Sequence, residues 1–340
     1  MGRHEHINNG TFIRYTFHHF WSPQPVMEEG GILSLVQSVT APSGLASHCD
    51  WVIGSRREHM GYTPPFTAWG DPDTVPRTVF VQTDHLEVFT QALLPCFPSQ
   101  VVIITGDSDR TTPRQVDLRY RPAFRESTWD RWIADERIAH IFAEHLDIAP
   151  SARVSAIPLG INPQEVAHPE MLLAEAPRRV NISAAPLRVL GASRVRDGPQ
   201  WNERLTALEV CERAEWCDHE LVERDLFFSE VQKYSFVLCP HGGGIDPNPK
   251  LFTAILAGAI PIIREDSRYP AIASMYEGWP VVRVARWADV NLTSLAKWKE
   301  QHAPAYEDTE RRNEVLHRLT MKYWWGKVTS WAERTRGYEP

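Results

Sequence analysis

One stretch, Tyr234–Asp266 (YSFVLCPHGGGIDPNPKLFTAILAGAIPIIRED), limits what this chain can fold into more than any other. Ser235–Cys239 is an apolar run that stops at Pro240, and Gly242, Gly243 and Gly244 follow directly. Asn248 suits a helix N-cap, Pro249 suits a first helical position, and the apolar stretch behind them ends at Gly258, where a helix-terminating glycine belongs. A second apolar run, Ile260–Arg264, closes the unit. Strand, turn, helix, strand is the connection that parallel strands require. The segment therefore predicts an α/β fold.

The rest of the chain repeats this alternation. Strands are expected at Ile32–Val39, Trp51–Gly54, Thr78–Thr83, Val101–Thr105 and Val154–Pro158, with helices over Leu86–Leu94 and Trp129–Leu146. After a Pro-, Ala- and Arg-rich stretch at Ala174–Pro186 the series restarts. Strands are expected at Leu187–Ala192, Ser235–Cys239, Ile260–Arg264 and Val281–Val284, and helices at Trp201–Ala214, Asp225–Lys233, Pro249–Ala257 and Tyr306–Arg334. These series predict two doubly wound, Rossmann-like domains, residues 1–175 and 176–305, facing across a cleft. Residues 306–340 are expected as a C-terminal helix packing back toward the first domain. In such sheets ligands bind beyond the carboxyl ends of the strands.

Composition removes several function classes. With 36 basic against 43 acidic residues and a net charge of −7, the chain lacks the basic surface of a nucleic-acid binder. No apolar run is long enough to span a bilayer and no signal-peptide core opens the chain, so a soluble protein with no membrane span is expected. The five cysteines are irregularly spaced without a Cys-x-x-Cys pair, which predicts reduced thiols and a cytoplasmic setting. The His4/His6 and His18/His19 pairs lack the carboxylate or cysteine spacing of a metal site, so no metal is expected. Gly-x-Ser-x-Gly, His-Glu-x-x-His and Walker patterns do not occur.

Glycines at Gly242, Gly243 and Gly244 permit positive φ and close approach of a ligand. The helix behind them turns its free N–H groups and positive end toward the same turn, an arrangement that binds anions. Lys250 adds a full charge in the first turn, where a cation is otherwise unfavourable and a bound diphosphate would account for it. A plain strand–turn–helix with a solvent-facing lysine is the alternative.

The series Phe236, Leu238, Pro240, Gly242, Gly244, Asp246, Lys250, Ala254, Gly258, Ile260 and Pro261 resembles the donor-site segment of exostosin-like glycosyltransferases. Leu187–Arg204, Trp279–Val282 with Trp287, Val79–Asp84, Ile104–Asp109 and Ile157–Ile161 resemble further landmarks of that family, so the likeness runs over residues 75–290. It implies a GT-B fold, with an acceptor-side first domain and a second domain holding the nucleotide sugar. The implied reaction is metal-independent transfer from a nucleoside diphosphate sugar, a UDP-sugar first, to a glycan or other hydroxyl acceptor. The nucleotide sugar is a co-substrate and no separate cofactor is implied. Lys250, Arg194 and Arg204 would meet the diphosphate, around a turn of Gly242, Gly243, Gly244, Asp246 and Asn248. Relatives carry a ribose-binding Glu where this chain has Thr253, so Glu265 or Asp266 would take that role, or the donor is held differently. Lys250-Leu251-Phe252 followed by Ala254 also resembles GDP-fucose-dependent fucosyltransferases. Thr253 equally suits a catalytically inactive sugar- or nucleotide-binding protein of the same fold.

An inverting transfer needs a base for the acceptor proton. Asp84 and His85 follow one first-domain strand, and Asp107 and Asp109 follow the next. Asp84, Asp109 and His85 are the candidates. Aspartates at strand ends also make turns and caps, and Asp84 could cap the helix at Leu86. A retaining enzyme would need no such base.

Overall fold

The computed structural model describes residues 44–54, 67–70, 75–97, 99–117, 119–122, 125–161, 176, 180–195, 198, 201–219, 221–223, 226–247 and 249–334. The expected strand at Ile32–Val39 and the four N-terminal histidines lie outside them.

Six strands form the first sheet: β1 (Trp51–Gly54), β2 (Thr67–Gly70), β3 (Thr78–Gln82), β4 (Val101–Gly106), β5 (Ile138–Ala143) and β6 (Val154–Ala156). Their spatial order is β2-β1-β3-β4-β5-β6, parallel throughout except for the antiparallel edge strand β2. Every residue of β3 and β4 is buried, as expected of strands covered on both faces. Side chains alternate between those faces. Val101 and Ile103 join Phe89 and Trp132, while Val102 and Ile104 join Phe80 and Phe142.

The second sheet holds β7 (Val189–Leu190), β8 (Cys217–Asp218), β9 (Phe236–Leu238), β10 (Ile260–Arg264) and β11 (Val282–Val284), all parallel. Its order, β11-β10-β9-β7-β8, steps outward once to β8 and then reverses to the other side of β7. That reversal is a topological switch point between β7 and β9. Among its described strands the first sheet has none, because each parallel strand from β1 through β6 is added on the same side. Double winding is thus seen in the second sheet only.

Ten α-helices are described: α1 (Leu86–Val88), α2 (Glu126–Ala134), α3 (Asn202–Glu212), α4 (Phe227–Val231), α5 (Lys250–Ala257), α6 (Pro270–Met275), α7 (Leu292–His302), α8 (Pro304–Glu307), α9 (Thr309–Arg318) and α10 (Met321–Arg334). Helix α5 ends at Gly258, whose φ of 97° is the left-handed conformation that glycine takes without strain. Fully buried Arg312 on α9 donates to Leu256 O at 3.0 Å, near the carbonyl end of α5, and the Tyr306 hydroxyl donates to Ala259 O at 2.8 Å. Helix α10 packs on β4 and β5, with Trp331 stacked on His140 at 4.2 Å. One continuous core runs from Val102 and Phe142 of the first sheet through Trp324 and Val328 to Ile255 and Val237 of the second half.

Three expectations are corrected. The helix over Trp129–Leu146 stops at Ala134: Asp135 binds the Arg137 guanidinium in a turn, and Ile138–Ala143 becomes strand β5. The helix over Tyr306–Arg334 is three helices. Asp308 caps the second by accepting from Arg311 N at 2.9 Å, and Thr320 Oγ1 accepts from Tyr323 N at the start of the third. Cys211 and Cys217, expected reduced, are joined in a disulfide between α3 and β8, while Cys49 and Cys239 are buried free thiols. The ground for a reducing compartment falls with it.

No helix among the described residues is long and apolar enough to cross a membrane.

Candidate functional site

The three glycines after β9 each lie against a neighbouring side chain, and Gly244 is required there. A Cβ at Gly242 would meet the Arg204 guanidinium, one at Gly243 the Asp109 carboxylate, and one at Gly244 the His145 ring, all under 3 Å. Gly244 in addition has φ of 65°. Two of these three partners come from the first half of the chain, so the turn is where the two sheets meet.

The turn's amides are held from the same side. Gly244 N donates to Asp117 Oδ2 at 3.4 Å, and Ile245 N and Asp246 N both donate to His145 Nδ1 at 3.3 Å. An imidazole nitrogen accepting two N–H groups carries no proton, so His145 is neutral with its proton on Nε2. Burial pushes its pKa down to about 4, against the opposing pull of Asp109 and Asp117. The amides of the turn itself are therefore already committed to side chains of the first half. Burial alone would raise the Asp117 pKa, but its bonds to Arg119, at 2.6 Å, outweigh this and hold it below the usual range.

The expected diphosphate cations gather at the switch point as ties between loops. Lys250 Nζ donates to Ala192 O, just beyond β7. Arg204 donates from Nη1 to Arg194 O at 2.8 Å and from Nε to His241 O at 3.2 Å, joining the loop after β7 to the loop after β9. It lies over Trp201 at 4.6 Å, and Arg119 approaches the same ring at 5.5 Å. The Arg194 side chain is exposed.

Beside the turn opens a cavity of about 350 Å³, within the range of small-ligand sites. Val116 and Asp117 wall it from the first-sheet side, and Asn202, Glu203 and Thr206 from α3. His241, Gly244 and Ile245 follow β9, and Arg264, Arg268 and Tyr269 come from the end of β10 and beyond. Glu203 Oε2 accepts from His241 Nε2 at 2.9 Å and from Arg264 Nε at 2.6 Å. Burial would raise the Glu203 pKa, but these partners outweigh it and keep the carboxylate ionised. Arg264 also pairs with Asp266 at 3.2 Å, and Arg268, the main cause, holds Asp266 far below its ordinary pKa.

Of the proposed bases, Asp109 borders Gly243 and accepts from Arg119 at 3.1 Å and from the Tyr120 hydroxyl at 3.4 Å. Asp84 is paired with Arg110, which lies over the Tyr120 ring at 5.4 Å. His85 is partly buried, which lowers its pKa against the pull of Asp84. Asp246 is buried with the Tyr276 hydroxyl at 3.5 Å. Thr253 is buried, its hydroxyl 3.4 Å from Pro249 O, and Glu265 is exposed; neither lines the cavity. Asn248 lies outside the described residues.

Arg204 and Asp109 border the glycine turn and Lys250 reaches Ala192 O, but none of the three lines the cavity. The sequence passed over His145, Asp117, Glu203, His241 and Arg264. The one local signal for them was position: His241 lies just past one predicted strand, Arg264 ends another, and Glu203 lies in the first turn of a predicted helix beside Arg204.

Compared with known proteins, the chain matches no family model and no curated protein.

Proposed function

We propose that this chain is a glycosyltransferase that takes a nucleoside diphosphate sugar, a UDP-sugar first, and passes the sugar to a hydroxyl acceptor. The observation that carries the reading is the position of the cavity. It lies at the carboxyl ends of β9 and β10, beside the switch point of the second sheet, and Val116 and Asp117 from the loop after β4 also line it. A transfer between two substrates needs such a two-sided site. Arg264, Arg268 and His241 bring cationic or protonatable groups to the leaving diphosphate. Asp109, half exposed beside Gly243 and bordering rather than lining the cavity, would be the base for the acceptor's proton. Asp84, whose contact is with Arg110 rather than with the glycine turn, is the second candidate.

A second reading has its own observation. Lys250 and Arg204 direct donors at main-chain carbonyls, as in a binding protein whose former diphosphate cations now brace loops.

Calorimetric titration with UDP, GDP, ADP and CMP, followed by assay of nucleotide release from the matching sugar donor, tests both. Selective binding with turnover supports the transferase, and a GDP preference moves it to the fucosyltransferase-like alternative. Binding without turnover supports the second reading. A folded chain that binds none of the four sinks both.

A further inference from the structure

Glu203 is a buried carboxylate with two unequal oxygens. Its side chain is 5% exposed, yet it lines the cavity. All of its bonds converge on Oε2, which takes His241 Nε2 and two nitrogens of Arg264. No donor among the described residues reaches Oε1, and Oε1 is not one of the sealed, unpartnered atoms of the interior. In a residue this enclosed, the oxygen that keeps contact with open space is the one turned to the cavity. Three contacts on Oε2, two of them from the Arg264 guanidinium, also fix the plane of the carboxylate, so Oε1 is an oriented acceptor rather than a swinging one.

That chemistry selects its ligand. An ionised carboxylate only accepts hydrogen bonds, so a phosphate is repelled and the ligand must supply hydrogens. Oε1 offers two lone pairs, which match two adjacent hydroxyl groups. Asn202 and Thr206, one turn apart on the same helix, continue the polar wall, while Val116, Ile245 and the Tyr269 ring supply an apolar one. A sugar ring has this division, with hydroxyls at its edge and C–H groups on its face.

We propose that Glu203 is the specificity-determining residue of the cavity, recognising adjacent hydroxyls of a sugar ring through Oε1. The inference rests on the nucleotide-sugar reading and deepens it. The hydroxyls belong to the ribose or to the transferred sugar, and the same experiment separates the two.

The test is calorimetry on the wild type and Glu203→Gln, using whichever of UDP, GDP, ADP and CMP binds, its 2′-deoxy and 3′-deoxy forms, and its glucose-bearing form. If the ribose is bound, the wild type prefers the ribonucleotide over the deoxy forms by tenfold or more (about 1.4 kcal/mol), and Glu203→Gln binds all three alike. If the transferred sugar is bound, the deoxy forms bind normally and the substitution removes the gain in affinity that the sugar brings. A variant that keeps both discriminations overturns the proposal while leaving the nucleotide reading intact. A wild type silent toward every nucleotide ends both. Should Glu203→Gln fail to fold, Glu203→Asp keeps the charge and withdraws the oxygen, and the same loss of discrimination is expected.

Discussion

The two sheets are built from the same kind of strand and put to different uses. In the first, β4 and β5 are six residues long and successive strands are added on one side. In the second, β7 and β8 are two residues each, and the order reverses around β7. Short strands contribute few ladder bonds, so the second sheet leans on side-chain ties: Arg204, Lys250 and the Tyr306 hydroxyl donate to main-chain carbonyls of its loops, and Arg312 to the end of α5. Short strands also bring their loops together early, and the reversal parts those loops into a crevice. A long, regular sheet makes a wall. A short, reversed one makes a site, at the cost of needing that wall behind it.

The largest test of this contrast is Gly244→Ala. It adds a Cβ against the His145 ring and forces alanine to φ of 65°. A loss of about 3 kcal/mol is expected in chemical denaturation. If the second sheet depends on the first, amide exchange will quicken in β9 and β10 while β3 and β4 stay protected. Equal loosening of both sheets would show that they stand or fall together.

A middle-sized effect is expected from pH. Burial depresses the pKa of His145 at the junction and of His140, stacked under α10, each to about 4. Between pH 6.5 and 4 the unfolded chain therefore holds more protons than the folded one, and stability falls as pH falls through that window. His145→Gln, which abolishes one titration, should flatten the pH dependence of the melting temperature while lowering its plateau. An unchanged slope would mean that the junction does not sense these protons.

The smallest expected effect lies at the edge of the second sheet. Cys211→Ser with Cys217→Ser removes a short-loop bridge and should cost about 2 kcal/mol. Exchange should quicken in β8 and the end of α3 and remain unchanged in the first sheet. Alkylation of the unfolded, unreduced chain checks the premise, since Cys211 and Cys217 should resist it.

Buried parallel strands were legible because they read as apolar runs: Trp51–Gly54 and Ile260–Arg264 match residue for residue. Strand β5 was not, because Ile138–Ala143 sits among good helix formers and only its pairing between β4 and β6 makes it extended. Strand β8 and the helices α6 and α7 carry too few residues or too little pattern to stand out. Resemblance and position at strand ends singled out Lys250, Arg204 and Asp109, which border the cavity region without lining it. His145 and Asp117 were not, since each meets the glycine turn across more than a hundred residues of sequence. Periodicity reports only neighbours along the chain. The glycines themselves were located correctly and explained differently: the structure assigns them to His145, Asp109 and Arg204.

The seat of α10 on β4 and β5 also has a timetable. Phe142 and Val102 share one core with Trp324 and Val328, residues joined to the chain well over a hundred positions later. At ribosomal speed that gap lasts on the order of ten seconds or more. Through that interval the face of the first sheet is complete in sequence and lacks its native cover. A growing chain of this design must borrow a lid, from a chaperone or from its own unfinished second half, and give it up when α10 arrives.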